Sequence, residues 1–133
     1  MIVDTSAVIA LVANELQAEP IRSALLSAPR ALISCGTLAE LLIVADNRFE
    51  WSLRQETEAL LDAAALEAVP VIEEDAQAAA AAYARFGKGN HPARLNLGDC
   101  FAYALAKRTG EPLLCVGEDF ARTDLPLVPL EAA

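Results

Sequence analysis

Leu95-Asn96-Leu97-Gly98-Asp99-Cys100-Phe101-Ala102-Tyr103-Ala104-Leu105-Ala106-Lys107-Arg108-Thr109-Gly110-Glu111-Pro112-Leu113-Leu114-Cys115-Val116 reads as a helix, a stop and a strand. The pattern predicts a helix from about Gly98 to Arg108, with Asn96 or the backbone at Gly98 as its cap. Lys107 and Arg108 fill the last turn, where the helix dipole favours cations. Gly110 and Pro112 end it, and Leu113 to Val116 follows as a short buried strand. The same alternation runs back through the chain. Strands are expected at Ile2-Val3, Ala31 to Ile33 and Val69 to Ile72, where Pro70 demotes the last to an edge or a strand start. Leu127-Val128 is a possible fifth. Helices are expected from about Ala7 through Val12 (capped by Ser6), at Ile21–Ser27, at Thr37–Ala45, at Trp51–Glu67, and from Glu73 to about Phe86. Strands alternating with helices predict an α/β fold with a mostly parallel sheet of four to five strands.

The chain has 133 residues, which sets the expectation of a single domain, 1–133, with a real core. Apolar residues make up 55%, yet no stretch approaches the ~18 residues of a membrane span. The surplus is either an alanine-rich core or a surface that meets a partner. Nothing positively charged precedes the first apolar residues, so no secretory signal is expected. The three cysteines form no C-x-x-C pair, which fits a reducing cytoplasm and argues against a zinc site. A net charge of −9 excludes broad, charge-driven nucleic-acid binding, leaving room for a locally built site or a basic partner.

Four acids sit at the edges of apolar segments: Asp4, Glu40, Asp99 and Asp119. Ligands of open α/β sheets bind outside the carboxyl ends of the strands. Asp4 and Asp119 follow the first and fourth expected strands, and Glu40 and Asp99 lie on helices able to close over the same point. Carboxylates gathered near a core need compensation, and a hard cation such as Mg²⁺ or Mn²⁺ supplies it. Such a site suits phosphodiester hydrolysis. Each acid also has an ordinary structural reading. Asp4 could cap a helix, although Ser6 could fill that cap. Glu40 could close a capping box from Thr37, and Asp99 could serve the dipole. Asp119 could be a turn residue, with Glu118 or Asp124 as the acid that matters.

The motifs Met1 to Ala7 (M-I-V-D-T-S-A), Glu40 on its apolar helix, Leu95 to Ala106 and Leu113 to Asp124 together resemble PIN-domain ribonucleases. The closer likeness is to the VapC toxins of bacterial type II toxin–antitoxin modules, and it spans essentially the whole chain. It implies a PIN-like three-layer fold and a catalytic, metal-holding set of Asp4, Glu40, Asp99 and Asp119. Ser6 matches a small polar residue beside the first acid. Thr123 and Asp124 match a downstream pair that supports the metal shell. The resemblance further implies Mg²⁺ or Mn²⁺, tRNA or rRNA as substrate, a homodimer and a cognate VapB-type antitoxin. Cleavage would leave a 5′-phosphate and a 3′-hydroxyl. Arg85, Lys88, Arg94 and Arg122 are candidate contacts to the RNA backbone. Two other readings compete. An inactive PIN scaffold would have lost an acid, and all four are present. A haloacid-dehalogenase-type phosphatase wants a second Asp where Ser6 stands.

Overall fold

A computed structural model of the chain describes residues 1–130. Four parallel strands, β1 (Ile2–Val3), β2 (Leu32–Ser34), β3 (Glu67–Val69) and β4 (Leu113–Leu114), form one sheet in the order β3-β2-β1-β4. Ile2 pairs with Leu32 on one side and with Leu113 on the other. Helices α1 (Thr5–Val12) and α2 (Ala18–Ser27) connect β1 to β2, and α3 (Cys35–Asn47) and α4 (Arg54–Ala63) connect β2 to β3. Helices α5 (Glu73–Phe86) and α6 (Leu97–Thr109) carry the chain from β3 back across to β4. Winding therefore reverses between β1 and β4. A reversal of strand order leaves a crevice at the carboxyl edge of the sheet, between the two strands where it occurs.

Successive strand residues face opposite ways, so each strand feeds two cores. Ile2, Leu32 and Leu113 pack with α5 and α6, through Ala79, Phe86, Cys100 and Leu105. Val3, Ile33 and Leu114 pack with α1, α2 and α3, through Val8, Ile21 and Leu41. Leu60 and Leu61 of α4 lie against that second core. This is the three-layer α/β arrangement expected: β1, β2 and β4 are buried because both faces are covered, while the edge strand β3 is largely exposed.

Several local expectations change. Helix α1 begins at Thr5 because Asp4, not Ser6, is its cap. Helix α3 begins at Cys35 under Ser34, so Thr37 opens no capping box and Glu40 lies well inside the helix. The expected helix over 51–67 is confined to Arg54–Ala63. Ala65 turns the chain at φ +50, and Glu67 starts the edge strand β3. Leu127 makes only an isolated parallel bridge to Leu113 instead of a fifth strand. No helix of the described residues is long and apolar enough to cross a membrane.

Candidate active site

The crevice between β1 and β4 holds the acids. Asp4 leaves β1 in extended conformation and turns into α1. Its Oδ2 accepts from the Ser6 amide (3.1 Å) and from the Ser6 hydroxyl (2.7 Å). The same hydroxyl accepts from the Val116 amide (3.0 Å), so Ser6 joins the start of α1 to the end of β4. Asp4 Oδ1 is buried and has no partner among the described residues. A buried oxygen that aligned is costly unless something outside the chain meets it.

Glu40 reaches the crevice from α3. The Thr5 hydroxyl donates to its Oε1 at 2.6 Å. Its carboxylate lies against the α-carbon of Gly98, where any β-carbon would overlap it. Asp99 comes from the first turn of α6, held in a reciprocal box with Asn96. The Asp99 amide donates to Asn96 Oδ1 (2.8 Å), and the Asn96 amide donates to Asp99 Oδ2 (3.0 Å). Asp119 stands just before the 3₁₀ turn Phe120–Arg122, half-buried, while Glu118 beside it is exposed.

Electrostatics tie the four together. Burial lifts the Asp99 carboxyl to about 7 from the usual 3.8, the Asn96 amide opposes this, and the charges of Asp4, Glu40 and Asp119 lift it further. Burial lifts Asp4 to about 6 against its bonds to Ser6, and Glu40 adds to the rise. Cys115 is pushed to about 12 by burial and by Asp4, Asp99 and Asp119. Charges that perturb one another in this way share one site.

The donor set is wholly oxygen and anionic, as Mg²⁺ or Mn²⁺ prefers. Among the described residues, no three acidic, Cys or His groups close into a complete ligand cluster. A cation there would be held by one or two carboxylates together with several waters, as Mg²⁺ commonly is. The buried, unpartnered Asp4 Oδ1 is an oxygen that such a cation would satisfy.

All four expected acids thus face one crevice, and the expected support from Asp124 falls away. Asp124 accepts from the Tyr103 hydroxyl (2.6 Å) and pairs with Lys107 (2.7 Å) and Arg85 (3.6 Å). Burial works against its charge, but Lys107 and the Tyr103 hydroxyl outweigh it and hold the carboxyl below the usual range. Thr123 donates to the carbonyl of Phe120 (2.7 Å), which closes the 3₁₀ turn. Of Glu118, Asp119 and Asp124, Asp119 is the one whose charge lifts Asp99 and Cys115. Sequence reasoning missed Thr5 and Gly98. Thr5 differs in no visible way from any residue after a cap. Gly98 is legible only as a helix glycine lacking an obvious role, a residue type that costs stability unless something must come close.

A model of the PIN domain matches residues 1–125. Ribonuclease VapC30 of Mycobacterium tuberculosis is 42% identical over 130 residues, covering 98% of this chain and 99% of that protein. The crystal structure of Mycobacterium tuberculosis VapC20, described as a sarcin–ricin loop cleaving toxin, superposes with a TM-score of 0.76 at 18% identity, covering 96% of this chain and 97% of that one. A toxin–antitoxin complex from Klebsiella pneumoniae gives 0.71 at 20% identity, covering 99% and 98%. A family match over 1–125 and a relative 42% identical over nearly the whole of both chains make this chain a member of the PIN-domain family and, within it, of the VapC ribonucleases.

Proposed function

We propose that this chain is a metal-dependent endoribonuclease, the toxin of a toxin–antitoxin module, acting in the cytoplasm on tRNA or rRNA. The observation that carries the reading is the crevice itself. Four carboxylates from four elements meet where the winding of the sheet reverses, close enough to raise the pKa of Asp99, with one Asp4 oxygen buried and unpartnered. Mg²⁺ or Mn²⁺ bound there supplies charge neutralisation for the phosphoryl oxygens and acidifies a water. Asp4, Asp99 and Asp119 would hold the cation, directly or through water. Glu40, steadied by Thr5, would complete the shell and help to orient a water toward the phosphodiester. His91 is occupied in its loop, where its Nδ1 accepts from the Ala93 amide (3.0 Å). With no imidazole base at the acids, the 2′-hydroxyl is not needed, and the products are a 5′-phosphate and a 3′-hydroxyl.

A protein partner is supported by the apolar side chains left in solvent: Leu16 is 99% exposed, Leu26 75% and Trp51 70%. We assign these surfaces to a homodimer and to a cognate antitoxin with a basic segment, which the net charge of −9 favours.

The deciding experiment is induced expression of the wild type beside Asp4→Asn, with total RNA sequenced for new 5′ ends. Growth arrest with discrete cuts that vanish in Asp4→Asn is expected. With purified protein, cleavage should stop on chelation and return with Mg²⁺ or Mn²⁺. Arrest that persists in Asp4→Asn would sink the catalytic reading.

A further inference from the structure

Ten Lys and Arg residues face nineteen acids in this chain, so a cation without a carboxylate partner is out of the ordinary. Six of the ten are held in ion pairs, at distances of up to 3.6 Å where the pair is loosest. Among the described residues the other four, Arg48, Lys88, Arg94 and Arg122, have none. Arg48, the residue that ends α3, lies over the ring of Phe49 at 5.6 Å. The remaining three belong to one small unit.

That unit is the loop between α5 and α6. Gly87 bridges Leu95, the Lys88 amide donates to the Leu95 carbonyl (2.9 Å), and the Leu95 amide donates to the Phe86 carbonyl (2.9 Å). The loop is closed at its base, with Lys88 on one arm and Arg94 on the other. Arg94 is held at φ +52, a left-handed conformation rarely adopted by a long side chain, and the strain is characteristic of functional loops. Arg122 joins from the 3₁₀ turn Phe120–Arg122, its Nη1 donating to the Pro92 carbonyl at 3.1 Å. One donor is spent there, and the rest of the guanidinium fork is free for a phosphate.

Both ends of the unit lead to catalytic acids. Arg94 is two residues before Asn96, which boxes Asp99. Arg122 closes the single 3₁₀ turn that Asp119 opens. The acids repel a polyanion, and fixed cations at their border offset that repulsion and set where the backbone lies. Arg85, though nearby in sequence, is excluded: it pairs with Asp124 and stacks 4.5 Å from the Phe86 ring centre.

We propose that Lys88, Arg94 and Arg122 form a phosphate-binding rim that seats the RNA backbone beside the cleavage acids. The proposal rests on the nuclease reading and narrows it to three side chains on one docked loop.

The test uses a chain silenced by Asp4→Asn and a short fluorescein-labelled RNA of mixed sequence, with affinity followed by anisotropy across a salt series. Each of Lys88→Gln, Arg94→Gln and Arg122→Gln should weaken binding about three- to tenfold and lower the slope of log affinity against log salt by about 0.7. Arg48→Gln should leave the slope unchanged. Arg122→Lys, which keeps the charge, should keep most of it, and unchanged melting temperatures would show that the loop has not unfolded. Salt-dependent binding with the same slope in all three Gln variants overturns the rim and leaves the nuclease reading intact. An unsubstituted chain that neither binds nor cuts RNA overturns both. Cutting without a rim effect, or a rim effect without cutting, separates the two.

Discussion

At Asp4 one carboxylate caps a helix with Oδ2 and leaves Oδ1 buried with nothing to meet it. Asp4 and Asp99 are both lifted, to about 6 and about 7 from 3.8. The folded chain thus holds protons that the unfolded chain has released, and proton linkage sets the sign. Without a divalent cation, the stability these two acids contribute is complete below about pH 4 and is lost as pH rises through about 7, opposite in sign to the contribution of the ion-paired Asp75 and Asp124. Asp4 alone would contribute a loss of the order of 2–3 kcal/mol. Melting in chelator at a series of pH values should show this decline, and Asp99→Asn, which keeps an acceptor for Asn96, should flatten it. A melting temperature that rises over the same range would contradict the crowding of charge described here. Gly98 gives a sharper separation of activity from stability. Its replacement by Ala puts a β-carbon into the space of the Glu40 carboxylate, the far end of a flexible side chain. Gly98→Ala should hold or raise the melting temperature, since Ala favours a helix by up to ~1 kcal/mol, while cleavage drops about tenfold or more. Equal loss of both would mean that the helices had been forced apart.

Elements are held in register by a few polar links. Ser6 is one of them. Removing its hydroxyl in Ser6→Ala leaves the Val116 amide unbonded and takes a donor from Asp4. The expected cost is about 1–2 kcal/mol of stability, with a higher metal concentration needed for half-maximal cleavage. Asp75 is another link, remote from the crevice. Buried at the start of α5, it accepts from the Ile72 amide (3.2 Å) and binds Arg108 near the end of α6 through both oxygens (2.7 and 3.0 Å). Burial works against its charge, but Arg108 and the Ile72 amide outweigh it and keep the carboxyl below its usual range. Asp75→Asn should destabilise by about 2–3 kcal/mol in chemical denaturation, because it breaks a largely buried pair. The cleavage rate of the remaining folded protein should be unaltered. A fall in rate at constant folded fraction would mean that α6 carries strain from Asp75 to Asp99.

For the whole molecule, the alternation of strands and helices was legible because a sheet covered on both faces is built from short apolar runs. The stop at Gly110, which sits at φ +71 as the helix ends, was equally plain. The four acids were legible as a set because each interrupts or borders an apolar segment. Their supports were not. Whether Asp4 or Ser6 caps α1, and whether Glu40 bonds to Thr37 or to Thr5, depends on helix starts one or two residues away, which local propensity does not resolve. Asp124 looked like a neighbour of Asp119 in sequence, but the chain carries it to Tyr103, Lys107 and Arg85. Such long-range choices are decided by packing, and a sequence pattern does not contain packing. Leu114, fully buried on β4 beside Val3, tests this at the largest scale. Leu114→Ala should cost about 2–5 kcal/mol and lower the yield of folded protein, with whatever folds still cutting RNA.

The place of β1 between β2 and β4 has a consequence during protein synthesis. Asp4 leaves the ribosome first, yet its strand has an open side until Leu113 and Leu114 emerge to pair with it. Ser6 lacks the Val116 amide until then, and Asp119 follows later still. A growing chain, or a message cut short before that point, yields three acids with no crevice to gather them. The cell making this protein is therefore exposed to its activity only once translation has run nearly to the end of the fold, when a partner can meet a finished molecule.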